Sequence, residues 1–198
     1  EEGIPLGAQQ QPLKVDFTHQ DPLGIDPLEC FAWQWVPAVG HSRGLLFGVN
    51  QVCYEVLSWD AGRFFISAHV RHHATLREWE LIVVYGPADH SHSQEFLGEL
   101  QAKVAALSVR NLPVLVGGDF NLIRSGADKN NGIINWTRVS LFNNAIASMA
   151  LREVARVGAR YTWTNEQLTP VRSVLDRVFK SAEWEMLFPM CSLHAETR

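Results

Sequence analysis

Pro113-Val114-Leu115-Val116-Gly117-Gly118-Asp119-Phe120-Asn121 is the stretch on which the reading of this chain turns. The run 113–116 is short, apolar and without alternation, which predicts a strand covered on both faces. Its paired glycines let a neighbouring backbone approach closely. At its C-terminal end it delivers a carboxylate, Asp119, and a carboxamide, Asn121; two residues apart on an extended chain, they share a face. Asp119 can then orient or deprotonate a water while Asn121 donates to a phosphate oxygen. A tight turn in which both side chains bond local backbone is the competing reading, and the segment alone leaves both open.

Upstream, apolar runs at 31–36, 44–49, 52–59, 63–70 and 80–85 read as strands, with Asp60-Ala61-Gly62 as a hairpin loop. A helix follows, opened by Ser91 with Gln94 as a capping box and striped by Phe96, Leu97, Leu100, Val104 and Leu107. Downstream, a polar loop leads to a second helix, from Asn135 or Trp136 to Leu151, with Val139, Phe142, Ile146 and Met149 at helical spacing. Strands are expected at 161–164 and 173–179, with a turn near Thr169-Pro170. Strands on both sides of helical segments predict an α/β class, a layered sandwich of mixed sheets. Residues 1–29, with a Gln run at 9–11 and four prolines, are expected to be poorly ordered, and the domain to occupy 30–198.

The 198 residues, 46 % hydrophobic, suffice for one domain with a sizeable core. No apolar run reaches the roughly 18 residues of a membrane span, and no signal peptide is visible. The first residue is not Met, so a missing leader stays open. Cys30, Cys53 and Cys191 are scattered and odd in number, pointing to buried reduced thiols in an intracellular protein rather than a cysteine zinc site. A net charge of −4 argues against a generic basic coat for polyanions. Arg124, Lys129, Arg138, Arg160, Arg172 and Lys180 nevertheless suffice to line one rim, and a carboxylate pocket for a cation is itself acidic.

Further residues carry chemistry only in combination. Tyr85 ends the apolar run 81–85 and can donate to an anionic oxygen, although a core-edge tyrosine is the commoner use. Asp176 interrupts an apolar strand and calls for a cation, a histidine or a metal; a surface pair with Arg177 or Arg172 is the alternative. Trp163, near a strand end, is either a stacking platform or a core residue. Asp89-His90-Ser91-His92, with His72-His73, has a spacing zinc can use, but loop positions favour solvated histidines; His69 reads as a packed strand residue.

Taken in order, Tyr85-Gly-Pro, Gly118-Asp-Phe-Asn121, Tyr161-Thr-Trp163 and Ser173-Val-Leu-Asp176-Arg177 resemble the endonuclease/exonuclease/phosphatase superfamily. The strongest resemblance is to the apurinic-endonuclease-like domain of plant LINE-type non-LTR retrotransposons, and 36–45 looks like that group's early hairpin. The resemblance implies a four-layer, DNase I-like α/β sandwich of two mixed β-sheets flanked by helices, and in-line attack of water on a phosphodiester assisted by Mg²⁺ or Mn²⁺. It implies that Asp119 positions the water and is a possible metal ligand, that Asn121 and Tyr85 hold phosphate oxygens, and that Asp176 orients a histidine. Trp163, Asn165 and Ser173 would belong to the substrate groove. DNA is then the expected substrate, the nucleus the expected compartment, and neither a membrane nor a protein partner is indicated.

The family's early Asn, its metal-binding Glu and its terminal Ser-Asp-His have no counterpart in this sequence, and His194 lies before the last of these. The expectation is a domain incomplete at both ends, binding metal weakly and nearly inactive. Two further readings keep the groove: a non-catalytic nucleic-acid-binding remnant, and a phosphatase for phosphorylated lipid or inositol.

Overall fold

The structure, a computed structural model, describes residues 26, 28–37, 44–165 and 167–194. Five strands come first: β1 (Phe31–Val36), β2 (Leu45–Asn50), β3 (Tyr54–Ala61), β4 (Phe65–His72) and β5 (Glu78–Tyr85). Helix α1 (Ser93–Ser108), strand β6 (Val114–Asp119) and helix α2 (Trp136–Ser148) follow. Five short strands complete the set, β7 (Arg152–Glu153), β8 (Arg156–Val157), β9 (Trp163–Thr164), β10 (Arg172–Ser173) and β11 (Asp176–Lys180), before helix α3 (Ala182–Leu187) and β12 (Leu193–His194).

The centre is a six-stranded sheet in the order β3-β4-β5-β6-β11-β7, antiparallel except between β5 and β6, which α1 connects. Its two faces explain the unbroken apolar runs. Ile82, Val84, Val114, Val116 and Phe179 face α1 and α2, meeting Phe96, Leu97, Leu100, Phe142 and Ile146. The alternate residues Leu81, Val83 and Leu115 face the β1–β2 ribbon, meeting Leu45, Phe47, Val49 and the buried Trp184 of α3. Each strand feeds both cores because successive side chains leave opposite faces. This mixed sheet with flanking helices is the DNase I-like arrangement; among the described residues, the second large layer is the β1–β2 ribbon.

Several local expectations shift. The hairpin after β3 turns at 62–64 rather than 60–62, closed by the Gly62 N–H donating to Phe65 O at 3.0 Å. Helix α1 is not opened by a Ser91 capping box: a short 3₁₀ turn, 90–92, precedes it, and Asp89 caps that turn by accepting from the Ser91 N–H. Helix α2 begins where Asn135 accepts from the Arg138 N–H, as its composition suggests, and ends earlier than Leu151. The single strand expected at 173–179 is two. Ser173 pairs with β9, and after Val174-Leu175 the chain joins the main sheet at Asp176. The cysteines are free but half-buried rather than buried. The expectation for 1–29 falls almost wholly outside the described residues, as does much of 36–45; Asp26 is buried and accepts from the Cys30 and Phe31 N–H groups.

Candidate active site

The parallel pairing of β5 with β6 places Tyr85 opposite Asp119, and the antiparallel pairing of β6 with β11 places Asp176 opposite Asp119. Three residues distant in sequence thus form one row across three strands. The backbones meet closely. Gly118 has φ +139°, a conformation open chiefly to glycine, and a Cβ there would stand 2.1 Å from the Val84 carbonyl oxygen. A Cβ on Gly86 would stand 2.2 Å from the Phe120 oxygen, while the Gly86 N–H donates to Asp119 O at 2.7 Å. These glycines bring the end of β5 against the turn after β6.

Asn121 departs from the expectation of a shared strand face. It lies past the end of β6 in a left-handed conformation, φ 49°. Its N–H donates to Asp119 Oδ1 at 2.8 Å, and its amide nitrogen donates to Gly86 O at 2.7 Å. The local bonding anticipated by the turn reading therefore exists, and it sets both side chains on the wall of a groove.

That groove has a volume of about 1000 Å³ and is lined by Tyr85, Asp119, Asn121, Trp163, Asn165 and Ser173, together with His90, Lys129 and Arg138. Trp163 is 44 % exposed, so it is not a core tryptophan. Asn165 braces the β9–β10 turn, its Oδ1 accepting from the Val171 N–H at 2.9 Å, and Ser173 is buried in the adjoining strand. Asp176 does not line this groove. It borders a smaller cavity of about 260 Å³ with Asp128, Glu153, Arg156, Arg160 and Arg177. Neither Arg177 nor Arg172 pairs with it: Arg177 is buried and bridges Asp128 and Glu153. No histidine stands beside Asp176 on that cavity's described wall, and His194, in β12 against β8, does not line the groove.

Of the six basic residues singled out in the sequence, Lys129 and Arg138 reach the groove. Arg124 is held by Glu153 and Asn143, Lys180 by Glu185, and Arg160 borders the smaller cavity. Among the described residues no carboxylate pairs with Lys129 or Arg138; the Lys129 ammonium donates to Ile133 O at 3.3 Å. His90 corrects the expectation of a solvated loop histidine. It is half-buried in the groove wall, and its Nδ1 is sealed from solvent without a partner. Burial foremost, then Arg138, and to a smaller extent Lys129, hold its pKa below the usual histidine value, against the pull of Asp89. Sequence reasoning also passed over Thr162, whose Oγ1 accepts from the Leu175 and Asp176 N–H groups and braces the step from β10 to β11.

A divalent cation asks more of this site than the described residues offer. No three His, Cys, Asp or Glu side chains gather around one point, and Asp119 is the one acidic side chain on the described groove wall. Mg²⁺ sites take one or two carboxylates plus substrate phosphates. The described wall stands at the low end of that range, one carboxylate whose Oδ1 already accepts the Asn121 N–H, so its side chains do not fit an ion held in the absence of substrate phosphates.

A sequence profile described as the endonuclease/exonuclease/phosphatase family matches residues 36–194. Among curated proteins, none matches the chain. Solved structures do. A 3'-5' exonuclease (NExo) from Neisseria meningitidis is 16 % identical with a TM-score of 0.60, covering 81 % of this chain and 71 % of its own. The endonuclease domain of TRAS1, a telomere-specific non-LTR retrotransposon, is 13 % identical with a TM-score of 0.57, covering 79 % and 69 %. The mannosyl-6-phosphatase Bt3783 of Bacteroides thetaiotaomicron is 14 % identical with a TM-score of 0.57, covering 83 % and 67 %. The chain spans about two thirds of the length of the solved structures it matches. At these identities the likeness is one of fold.

Proposed function

The chain belongs to the endonuclease/exonuclease/phosphatase family, and from that premise we propose that its groove takes the phosphodiester backbone of DNA, in a domain of the retrotransposon endonuclease kind. The observation that carries this reading is the composition of one open wall. Asp119, Asn121 and Tyr85 line it together with two cations that have no carboxylate partner among the described residues and with an exposed tryptophan. Cations that track phosphates and an aromatic that stacks on bases are what a polymeric polyanion requires, whereas a small phosphomonoester is held in an enclosed pocket. The plant LINE character and a nuclear location belong to the same proposal.

In that reading Asp119 orients a water and takes its proton for in-line attack: a bond forms from the water oxygen to phosphorus as the bond from phosphorus to the leaving oxygen breaks, and solvent protonates the leaving oxygen. Tyr85 donates to a phosphate oxygen, and Asn121 holds Asp119 through its N–H. The Asn121 amide is engaged with Gly86 O, so one of its two hydrogens remains for a ligand. Because the described donor set does not fit a resident cation, we propose that this chain binds DNA and cleaves it slowly. Binding without cleavage is the second reading, favoured by the same poverty of carboxylates. Nicking of supercoiled plasmid in Mg²⁺ or Mn²⁺ separates the two. Slow nicking that falls about 100-fold or more in Asp119→Ala supports catalysis; DNA binding with nicking absent leaves the binding module. Turnover of a soluble phosphomonoester, with no DNA binding, would replace both by a phosphatase.

A further inference from the structure

The groove wall holds a second group of residues that the catalytic row leaves unused. His90 comes from the turn before α1, Lys129 from the loop after β6, and Arg138 from the first turn of α2. Three separate elements bring these residues to one groove. The two cations lack carboxylate partners among the described residues, and Asp89, the acid whose charge reaches His90, spends its Oδ1 on the Ser91 N–H. The imidazole Nδ1 is sealed and without a partner, so Nε2 is the ring nitrogen through which His90 meets a ligand.

We propose that His90, Lys129 and Arg138 form a second phosphoryl-anion subsite, for a backbone phosphate beyond the one at Asp119, and that filling it draws a proton onto His90. The proposal rests on the nucleic-acid reading for its ligand but not for its chemistry. In the free protein burial disfavours the charged imidazole first, and the charges of Arg138 and, less, Lys129 disfavour it further, with Asp89 pulling the other way. A phosphoryl anion between the cations reverses that balance. It neutralises the charges that repelled the proton and accepts a hydrogen bond from Nε2, so the imidazolium becomes the favoured state. Anion binding and proton uptake are then linked, and each strengthens the other.

The test follows the ring resonances of the full chain by NMR across pH, with the His90 signal assigned by its loss in His90→Gln. Two probes are used, inorganic pyrophosphate and a short DNA duplex. The titration midpoint of His90 is expected to rise when either is saturating. Duplex affinity is expected to tighten several-fold from pH 8 to pH 6, within the limit of about tenfold per pH unit that one linked proton sets, and His90→Gln flattens that dependence. A midpoint that neither probe moves, or a pH dependence that survives in His90→Gln, overturns the subsite. If pyrophosphate moves His90 while the duplex fails to bind, the subsite stands and the DNA reading falls. If the duplex binds without moving His90, the DNA reading stands and the subsite falls.

Discussion

Phe120 sits between the two polar residues of the motif and turns away from both. It is fully buried on the helix side of the sheet, with ring centroids 5.1 Å from Phe179, 5.3 Å from Phe142 and 6.1 Å from Phe96. Its N–H donates to Leu175 O at 3.0 Å, so the turn is tied by backbone to the residue before β11 and by its ring to Phe179 within it. Phe120→Ala is expected to cost about 3–5 kcal/mol, the range for emptying an aromatic core site, measured by urea unfolding; a loss under about 1 kcal/mol would contradict the anchoring role. The position of Asp119 was legible: the sequence put it at the end of a buried strand behind two glycines, where the structure also has it, while leaving open whether it serves chemistry or a tight turn. Asn121 was legible as its partner in the motif but not in its geometry, since its left-handed φ is imposed by the bond to Asp119 and the approach of Gly86. His90 and the choice of Lys129 and Arg138 were not legible. Each depends on which loops meet across the groove, and a lone loop histidine carries no signal of burial.

At the scale of elements, β11 carries a buried guanidinium that joins two other elements. Arg177 is 6 % exposed and bridges Asp128, in the 3₁₀ turn 126–128, with Glu153 of β7; Glu153 also meets Arg124. Asp128 further accepts from the Arg124 and Ser125 N–H groups, so the turn that leads to Lys129 is fixed to the sheet through one guanidinium. Removing it leaves Glu153 with Arg124 and Asp128 with two backbone N–H groups, so each carboxylate loses its shared cation but not its last partner. Arg177→Ala is expected to lose about 1–3 kcal/mol, the range for hydrogen bonds to a charged group, and restoring charge balance with Asp128→Asn in the same chain should recover part of it. Full additivity of the two changes in a double-mutant cycle would show that the pair is uncoupled. The long elements were readable because their periodicity is long: β4, β5, α1 and α2 each lie where apolar spacing put them, within two or three residues. Strand β9 falls within the expected 161–164, but the separation of β10 from β11 was not readable, because the run 173–179 spans a change of sheet that Thr162 braces from elsewhere.

For the whole molecule, the six-stranded sheet buries one face on two helices and the other on the β1–β2 ribbon, and its strand ends present the row Tyr85, Asp119 and Asp176. The order of four short motifs made this architecture legible, since each marks a strand end that the fold must bring together. Fold alone does not choose a substrate, and the matched structures include an exonuclease, a retrotransposon endonuclease domain and a sugar phosphatase. The charge of −4 over the chain is uneven: the described groove wall carries one acidic side chain against Lys129 and Arg138. The central claim, that this wall receives a nucleic-acid backbone, is tested most directly by duplex DNA binding measured against salt for the wild type and for Lys129→Ala/Arg138→Ala. Weak, salt-dependent binding is expected, with a log–log slope that falls by about 2 in the double variant, close to one per lost phosphate contact. Binding whose slope the double variant leaves unchanged, or no binding at low salt, would contradict it.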